Sequence, residues 1–287
     1  MQRKLAKLVK LKEKTEYLWY KYDFVPKRHL GQNFLIDPHI VERIIKALEL
    51  SEKDTVLEIG AGTGALTEQL VRKGGRVIAV EINERLCTLL RKELKGYDNL
   101  EVICADITRI SLKEKFFKSD LVKVVGNLPY QIASSLLLSL VPQDWIKFLV
   151  VMVQREVAQR IMAKPGDKRR GVLSVLLNYY STISRITDVP PQAFVPPPRV
   201  GSSVIKMKKR ESYRIKAENG FSLVVRAAFS LKRKMLVNSL SAGLGINREL
   251  IKEKLSKAGV DWRRRAEDLS VEEFVRISNS LRRMSEE

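Results

Sequence analysis

Asn127-Leu128-Pro129-Tyr130 brings together, in four positions, two carbonyl acceptors and a flat aromatic face. The Asn127 side-chain carbonyl and the Leu128 backbone carbonyl can each accept one hydrogen of an exocyclic amine, and Tyr130 offers a surface on which a nucleobase stacks. Pro129 stiffens the turn and brings no competing N–H. The chemistry this suits is the gripping of a nucleobase amine. The same residue types also make ordinary strand-ending turns, in which Asn and Pro punctuate and Tyr packs, so the tetrapeptide has to be read with its surroundings.

The preceding Val122-Lys123-Val124-Val125-Gly126 is a β-branched run that predicts a buried strand. Residues just past a parallel strand of an α/β sheet stand at its carboxyl end, where such sheets place ligands. Three strands predicted upstream end in comparable fashion. Thr55–Ile59 runs into Gly60-Ala61-Gly62-Thr63-Gly64 and a helix beginning near Ala65, which gives the backbone close access to a ligand. This turn is shorter than the dinucleotide fingerprint and lacks the Gly-Lys-Ser/Thr ending of a P-loop. Arg76–Val80 ends at Glu81, about twenty residues further on, where an acid typically binds ribose hydroxyls. Leu100–Cys104 leads to Asp106, which can accept from an adenine amine or from backbone donors nearby. For each acid the alternative is a cap or a surface role; two acids at successive strand ends favour a ligand.

Ahead of these strands, Gly31-Gln32-Asn33-Phe34-Leu35-Ile36-Asp37-Pro38 leads into a helix from about Pro38 to Leu48, with Asp37 at the N-cap. Its polar and apolar residues fit one wall of a pocket or a plain entry loop. Downstream, a helix is predicted over Ser134–Leu140, a strand over Lys147–Val153 and a helix from Gln154. Lys164–Gly171 reads as a basic, mobile loop. Leu173–Ile186 and Ser203–Met207 read as late strands, a hairpin-like pair joined by the proline-rich Val189–Pro198. From about Lys208 the pattern turns to helices: Asn219–Leu240 closed by Gly243 and Gly245, Arg248–Ala258, and a last helix behind a Ser270/Glu273 capping box.

Lys and Arg number 53 against 33 Asp and Glu, a formal charge of +20 with pI near 10.0. Such an imbalance points to a polyanionic partner, a nucleic acid ahead of an anionic membrane. A Lys-, Arg- and Glu-rich surface of thermophilic type explains many charges but not the excess. Lys232-Arg233-Lys234 and Arg263-Arg264-Arg265 are the candidate phosphate contacts, with local ion pairs as the alternative. Only Cys87 and Cys104 are present, too few for a disulfide framework or a cysteine zinc site. No apolar stretch is long enough to span a bilayer, and a soluble cytoplasmic protein is expected. Residues 1–27 form a basic leader with helical apolar spacing, suited to docking on the main domain or touching RNA.

With these pieces in order, the chain resembles the ribosomal RNA adenine N6,N6-dimethyltransferase family, which modifies small-subunit ribosomal RNA. The motifs that carry the resemblance are Gly31 to Leu35, Glu58 to Gly64, Glu81, Asp106, Gly126 to Tyr130 and Phe194 to Val200. It implies an α/β fold, a Rossmann-like S-adenosylmethionine-dependent methyltransferase sheet with a small all-helical C-terminal domain. The expected division is a basic extension at 1–27, a catalytic domain at 28–207 and a helical RNA-contacting domain at 208–287. It also implies a cofactor pocket lined by Asn33, Leu35, Gly60, Gly62, Glu81, Asp106 and Asn127. There Glu81 would hold the ribose hydroxyls and Asp106 the cofactor's adenine amine. Asn127, Leu128, Pro129 and Tyr130 would grip the target adenine, with Phe194 packing on its other side or edge.

Catalysis is expected to be positioning, with no metal and no strong general base; His29 and His39 lie outside the central motif and read as solvated or cap-forming. The expected partner is small-subunit ribosomal RNA or an immature small subunit, met by a monomer. The rival readings are a large-subunit adenine methyltransferase of the antibiotic-resistance type and, from another class, a non-catalytic assembly or transcription factor on the same fold.

Overall fold

The computed structural model describes residues 2–27, 31–111, 113, 121–210 and 218–282; His29 lies outside them. The chain forms two compact units, Met1–Ala158 with Ile183–Lys209, and Gln159–Thr182 with Arg210–Glu287. A single boundary near residue 208 therefore misses an excursion, in which 159–182 leaves the first unit and joins the C-terminal helices.

The first unit opens with helix α1 (Gln2–Lys21), a short strand β1 (Phe34–Leu35) and helix α2 (Pro38–Ala47). Asp37 caps α2 as expected, its carboxylate accepting from the His39 and Ile40 N–H groups. The sheet is built from β2 (Thr55–Ile59), β3 (Arg76–Glu81), β4 (Leu100–Cys104), β5 (Val122–Asn127), β6 (Ile146–Gln154), β7 (Ser181–Val189) and β9 (Ser202–Lys209). Between the last two, β8 (Phe194–Val195) pairs with β1. Among the described residues the sheet has seven strands in the order β4-β3-β2-β5-β6-β9-β7. β2 to β6 run parallel, and β9 is antiparallel to β6.

The parallel strands are apolar along their length because helices cover them: Val56, Leu57, Val77, Ile78, Val124 and Val125 are fully buried. The chain winds one way from β2 through β3 to β4, then restarts on the other side of β2 with β5. This reversal opens a crevice at the carboxyl ends of β2 and β5, the place where such sheets bind ligands. At that point β2 and β5 approach closely. A Cβ on Gly126 would stand 2.3 Å from the Ile59 carbonyl oxygen, so the strand must carry glycine there.

Helix α1 docks beside α3 (Thr67–Lys73) and α4 (Glu84–Glu93). Lys14 pairs with Glu68 at 2.7 Å, and Lys21 and Tyr22 reach Glu93 at 2.7 and 2.8 Å. These pairs are partly exposed and contribute little; burial of Leu18 and Phe24 carries more of the docking.

In the second unit, residues expected as a strand from Leu173 form helix α7 (Val172–Tyr180), which follows α5 (Ala133–Leu140) and α6 (Arg155–Ile161) in the chain. Leu173, Val175, Leu176, Leu177 and Tyr179 are all buried, and an apolar run enclosed on every side shows no period by which helix and strand differ. The Lys164–Gly171 segment is anchored rather than loose. Arg170 is buried and donates to the Ala163 and Leu269 carbonyls, while the Gly166 N–H donates to the Glu267 carbonyl. The expected long helix at Asn219–Leu240 is two, α8 (Glu218–Ala228) and α9 (Leu236–Leu244), parted by a turn that holds Lys232, Arg233 and Lys234. Arg233 adopts φ 64°, which a helix cannot contain. Gly243 sits inside α9, where a Cβ would fall 2.6 Å from Ala227, so its task is the helix crossing; Gly245 supplies the left-handed cap. α10 (Arg248–Lys257) and α11 (Val271–Arg282) complete the unit, the latter behind the expected Ser270/Glu273 capping box.

Candidate active site

A cavity of about 310 Å³ lies at the carboxyl ends of β2, β3, β4 and β5 and is walled by the segment Gly31–Leu35. Every residue expected in the cofactor pocket lines it: Asn33, Leu35, Gly60, Gly62, Glu81, Asp106 and Asn127. The glycines are there for backbone reasons. Gly60 and Gly62 take φ 74° and 59°, and a Cβ on Gly62 would press within 3.1 Å of the Phe34 ring.

Glu81 ends β3 and is buried, its two oxygens accepting from the backbone N–H groups of Gly62 and Asn83, each at 3.0 Å. Burial pushes its carboxyl up, against the pull of the Asn83, Gly62 and Ile82 N–H groups. Each oxygen keeps a lone pair for a hydroxyl donor. Asp106 is more open. Thr108 donates to its Oδ1 through hydroxyl and N–H at 2.7 and 2.9 Å, holding this carboxylate below its usual range, and Arg109 lies 3.5 Å from Oδ2. The acid thus caps its own turn and still faces the cavity.

Asn127 is the last residue of β5. Its amide nitrogen donates to the Asn33 carbonyl at 3.0 Å, which fixes the side chain, and its Oδ1 is buried without a partner. A buried acceptor left unpaired costs about 1–3 kcal/mol, a penalty that a bound amine would remove. The Leu128 N–H donates to Met152 on β6, and the Pro129 carbonyl accepts from Ile132 and Ala133 to start α5. Tyr130 is held through its hydroxyl, 2.9 Å from Ser202 Oγ. Leu128, Pro129 and Tyr130 all line the cavity.

Phe194 departs from expectation. It is 2% exposed, packed in the core with Leu35 and Met152 rather than along the cavity wall, because β8 pairs with β1 and opposes Leu35 to Phe194. Its part is to hold that wall. Of the basic clusters, Lys232, Arg233 and Lys234 are exposed, whereas Arg263 grips Asp261 and Arg264 is bound to Glu273 and the Asp268 carbonyl. Arg265 is exposed. Among the lining residues to which the sequence assigned no role, Ile82 and Glu58 stand out. Ile82, directly after Glu81, is 64% exposed at the cavity, a platform for a flat ring whose signal was an apolar residue just past a strand-end acid. Glu58, 1% exposed inside β2, contributes an unpartnered carboxyl oxygen; its signal was an acid in the middle of an apolar strand.

A set of oxygen acceptors, an orphaned amide carbonyl and a glycine cradle on this strand order fit S-adenosylmethionine, which Glu81, Asp106, Ile82 and the glycine turn would hold. The fold and site are those of a Rossmann-like S-adenosylmethionine-dependent methyltransferase. The family described as ribosomal RNA adenine dimethylase matches residues 24–283, and the chain belongs to it. It is 39% identical over 270 residues to ribosomal RNA small subunit methyltransferase A of Clostridium botulinum (strain Kyoto / Type A2), covering 93% of this chain and 98% of that one. To the Bacillus cytotoxicus protein of the same name it is 40% identical over 278 residues, covering 93% and 95%. Among solved structures, a dimethyladenosine transferase from Plasmodium falciparum superposes with TM-score 0.74 at 27% identity, covering 88% of this chain and 98% of that one. The 23S rRNA methyltransferase ErmE superposes with TM-score 0.69 at 26% identity, covering 87% and 100%. The protein is an rRNA adenine dimethyltransferase that uses S-adenosylmethionine.

Proposed function

We propose that the protein dimethylates N6 of adenines, two adjacent ones, in a loop of small-subunit ribosomal RNA during ribosome biogenesis. The observation that supports this best is the Asn127 amide, tied by its nitrogen to Asn33 with its carbonyl oxygen left buried and unpaired. An adenine N6 amine satisfies that oxygen. Its lone pair is delocalised into the ring, so the amine is a poor nucleophile, and the protein's work is to change its geometry. Asn127 Oδ1 and the Leu128 carbonyl accept the two amine hydrogens, draw the nitrogen toward a tetrahedral shape and favour the positive charge that develops on it. Tyr130, braced by Ser202, offers the stacking face. The bound cofactor supplies an activated sulfonium methyl group. The target base has to leave its stack, a cost that is small in a loop and that stacking in the pocket offsets by about 1–3 kcal/mol.

The test is incubation with methyl-labelled cofactor and immature small or mature large subunits, followed by nucleoside digestion. Label in N6,N6-dimethyladenosine of small-subunit RNA is expected. Label confined to large-subunit RNA favours the second reading, which the likeness to a 23S rRNA methyltransferase keeps in play. Cofactor binding without transfer on either subunit favours the assembly-factor reading.

In this reading the exposed Lys232-Arg233-Lys234 turn contacts RNA phosphates, and the enzyme acts as a monomer in the cytoplasm. Among the described residues no helix is long and apolar enough to cross a membrane. Replacing the three basic residues by glutamine is expected to flatten the plot of log affinity against log salt by about two units, since each lost phosphate contact removes roughly 0.7–0.9. An unchanged slope in RNA binding measured across salt concentrations places the phosphate contacts elsewhere.

A further inference from the structure

The family match begins at residue 24, yet side chains ahead of it reach the wall of the cofactor crevice. Leu18 and Phe24 are 3% and 5% exposed, and the Trp19 indole N–H is buried without a partner. Trp19 meets the Phe34 ring edge-on, with centroids 5.2 Å apart at 66°, and Phe24 meets it at 5.6 Å and 84°. Phe34 also lies against Gly62, whose added Cβ would stand 3.1 Å from that ring. Phe34 thus touches both the aromatic pair and the glycine turn. Its chain neighbour Asn33 supplies the carbonyl that fixes the Asn127 amide.

We propose that Trp19, with Phe24 beside it, is a positioning residue of the cofactor site, pressing Phe34 onto the glycine turn and so holding the Asn33 wall in place. The polar pairs of α1 do not do this, because they reach only the helices outside the sheet. Apolar contact does: with the indole removed, Phe34 has space to retreat, and the turn loses the ring that fills the left-handed Gly62 corner. The extension then belongs to the site rather than decorating it. The proposal rests on S-adenosylmethionine as the cofactor.

The test uses the full-length protein and S-adenosylhomocysteine as the probe, titrated by calorimetry. Trp19→Ala is expected to raise the Kd about tenfold, and Trp19→Phe, which keeps a ring and deletes the unpaired N–H, to restore it to within twofold. A second measurement stands even where Trp19→Ala does not fold. In a Trp145→Phe, Trp262→Phe background Trp19 is the sole indole, and its emission is expected to change saturably with the calorimetric midpoint. A Trp19→Ala protein with wild-type Kd, or emission indifferent to the probe, overturns the proposal. Wild-type protein that binds no S-adenosylhomocysteine overturns the cofactor assignment instead.

Discussion

Asn127→Ala is expected to lower kcat for methyl transfer by about 10²–10³-fold, the usual consequence of removing one acceptor or donor aimed at developing charge. The loss is expected on kcat because, in the proposed role, Asn127 Oδ1 would meet the amine most strongly as the nitrogen becomes positive, and so would stabilise the transition state more than bound RNA. Cofactor affinity is expected to fall only moderately. The substitution frees the Asn33 carbonyl, which loses its donor, but leaves Glu81, Asp106 and the glycine turn intact. Single-turnover kinetics on small subunits, together with the Kd for S-adenosylhomocysteine, separate the two effects. Near-wild-type turnover in the alanine variant would falsify the role given to this amide.

Glu58→Gln is expected to change the pH dependence of stability more than stability itself at acid pH. Glu58 is enclosed in β2 with one oxygen unpaired and Glu81 nearby, and burial, with a smaller contribution from that neighbour, pushes its carboxyl up to about 8. An exposed glutamate gives up its proton near 4.5. Between these values the folded protein holds a proton that the unfolded chain has released, so the contribution of Glu58 is fully present below about 4.5 and is lost as pH rises to about 8. A shift of this size corresponds to a loss on the order of 5 kcal/mol across the window. Glutamine has no proton to lose. Denaturant midpoints of wild type and Glu58→Gln are therefore expected to lie close together at pH 5 and to separate toward pH 8.5, with the variant the more stable. Parallel pH profiles for the two proteins would show that Glu58 titrates as an ordinary carboxyl.

The parts of the site that were legible in the sequence are those fixed by local chemistry. Glu81, Asp106 and Asn127 each come after a β-branched run, and the strand period places the next residues at the sheet's end; the glycine turn marks itself by residue type. The illegible parts depend on partners far along the chain. The α7 segment is apolar all round and gives no period to read. Arg170 looks like one of several loop charges until Leu269, distant in sequence, supplies its acceptor. Phe194 has the residue type for stacking, but its neighbour across the β1–β8 pair decides which way it faces. Glu58 and Ile82 escaped for a related reason: a site needs floors and platforms as well as donors, and a single residue of the wrong polarity for its surroundings is a faint mark in a chain of 287 residues.

The pairing of Leu35 with Phe194 also bears on how the protein comes into being. The strands that carry Gly60, Glu81, Asp106 and Asn127 lie early in the chain, but the β-ladder that steadies their wall closes only after Val195 has been translated. A nascent chain shorter than this has the bed of the pocket and no backing for its side, and long-range closures of this kind are formed late. A backed wall for the methyl-donor pocket therefore has to wait for Phe194 and Val195, well after the strands that form its bed.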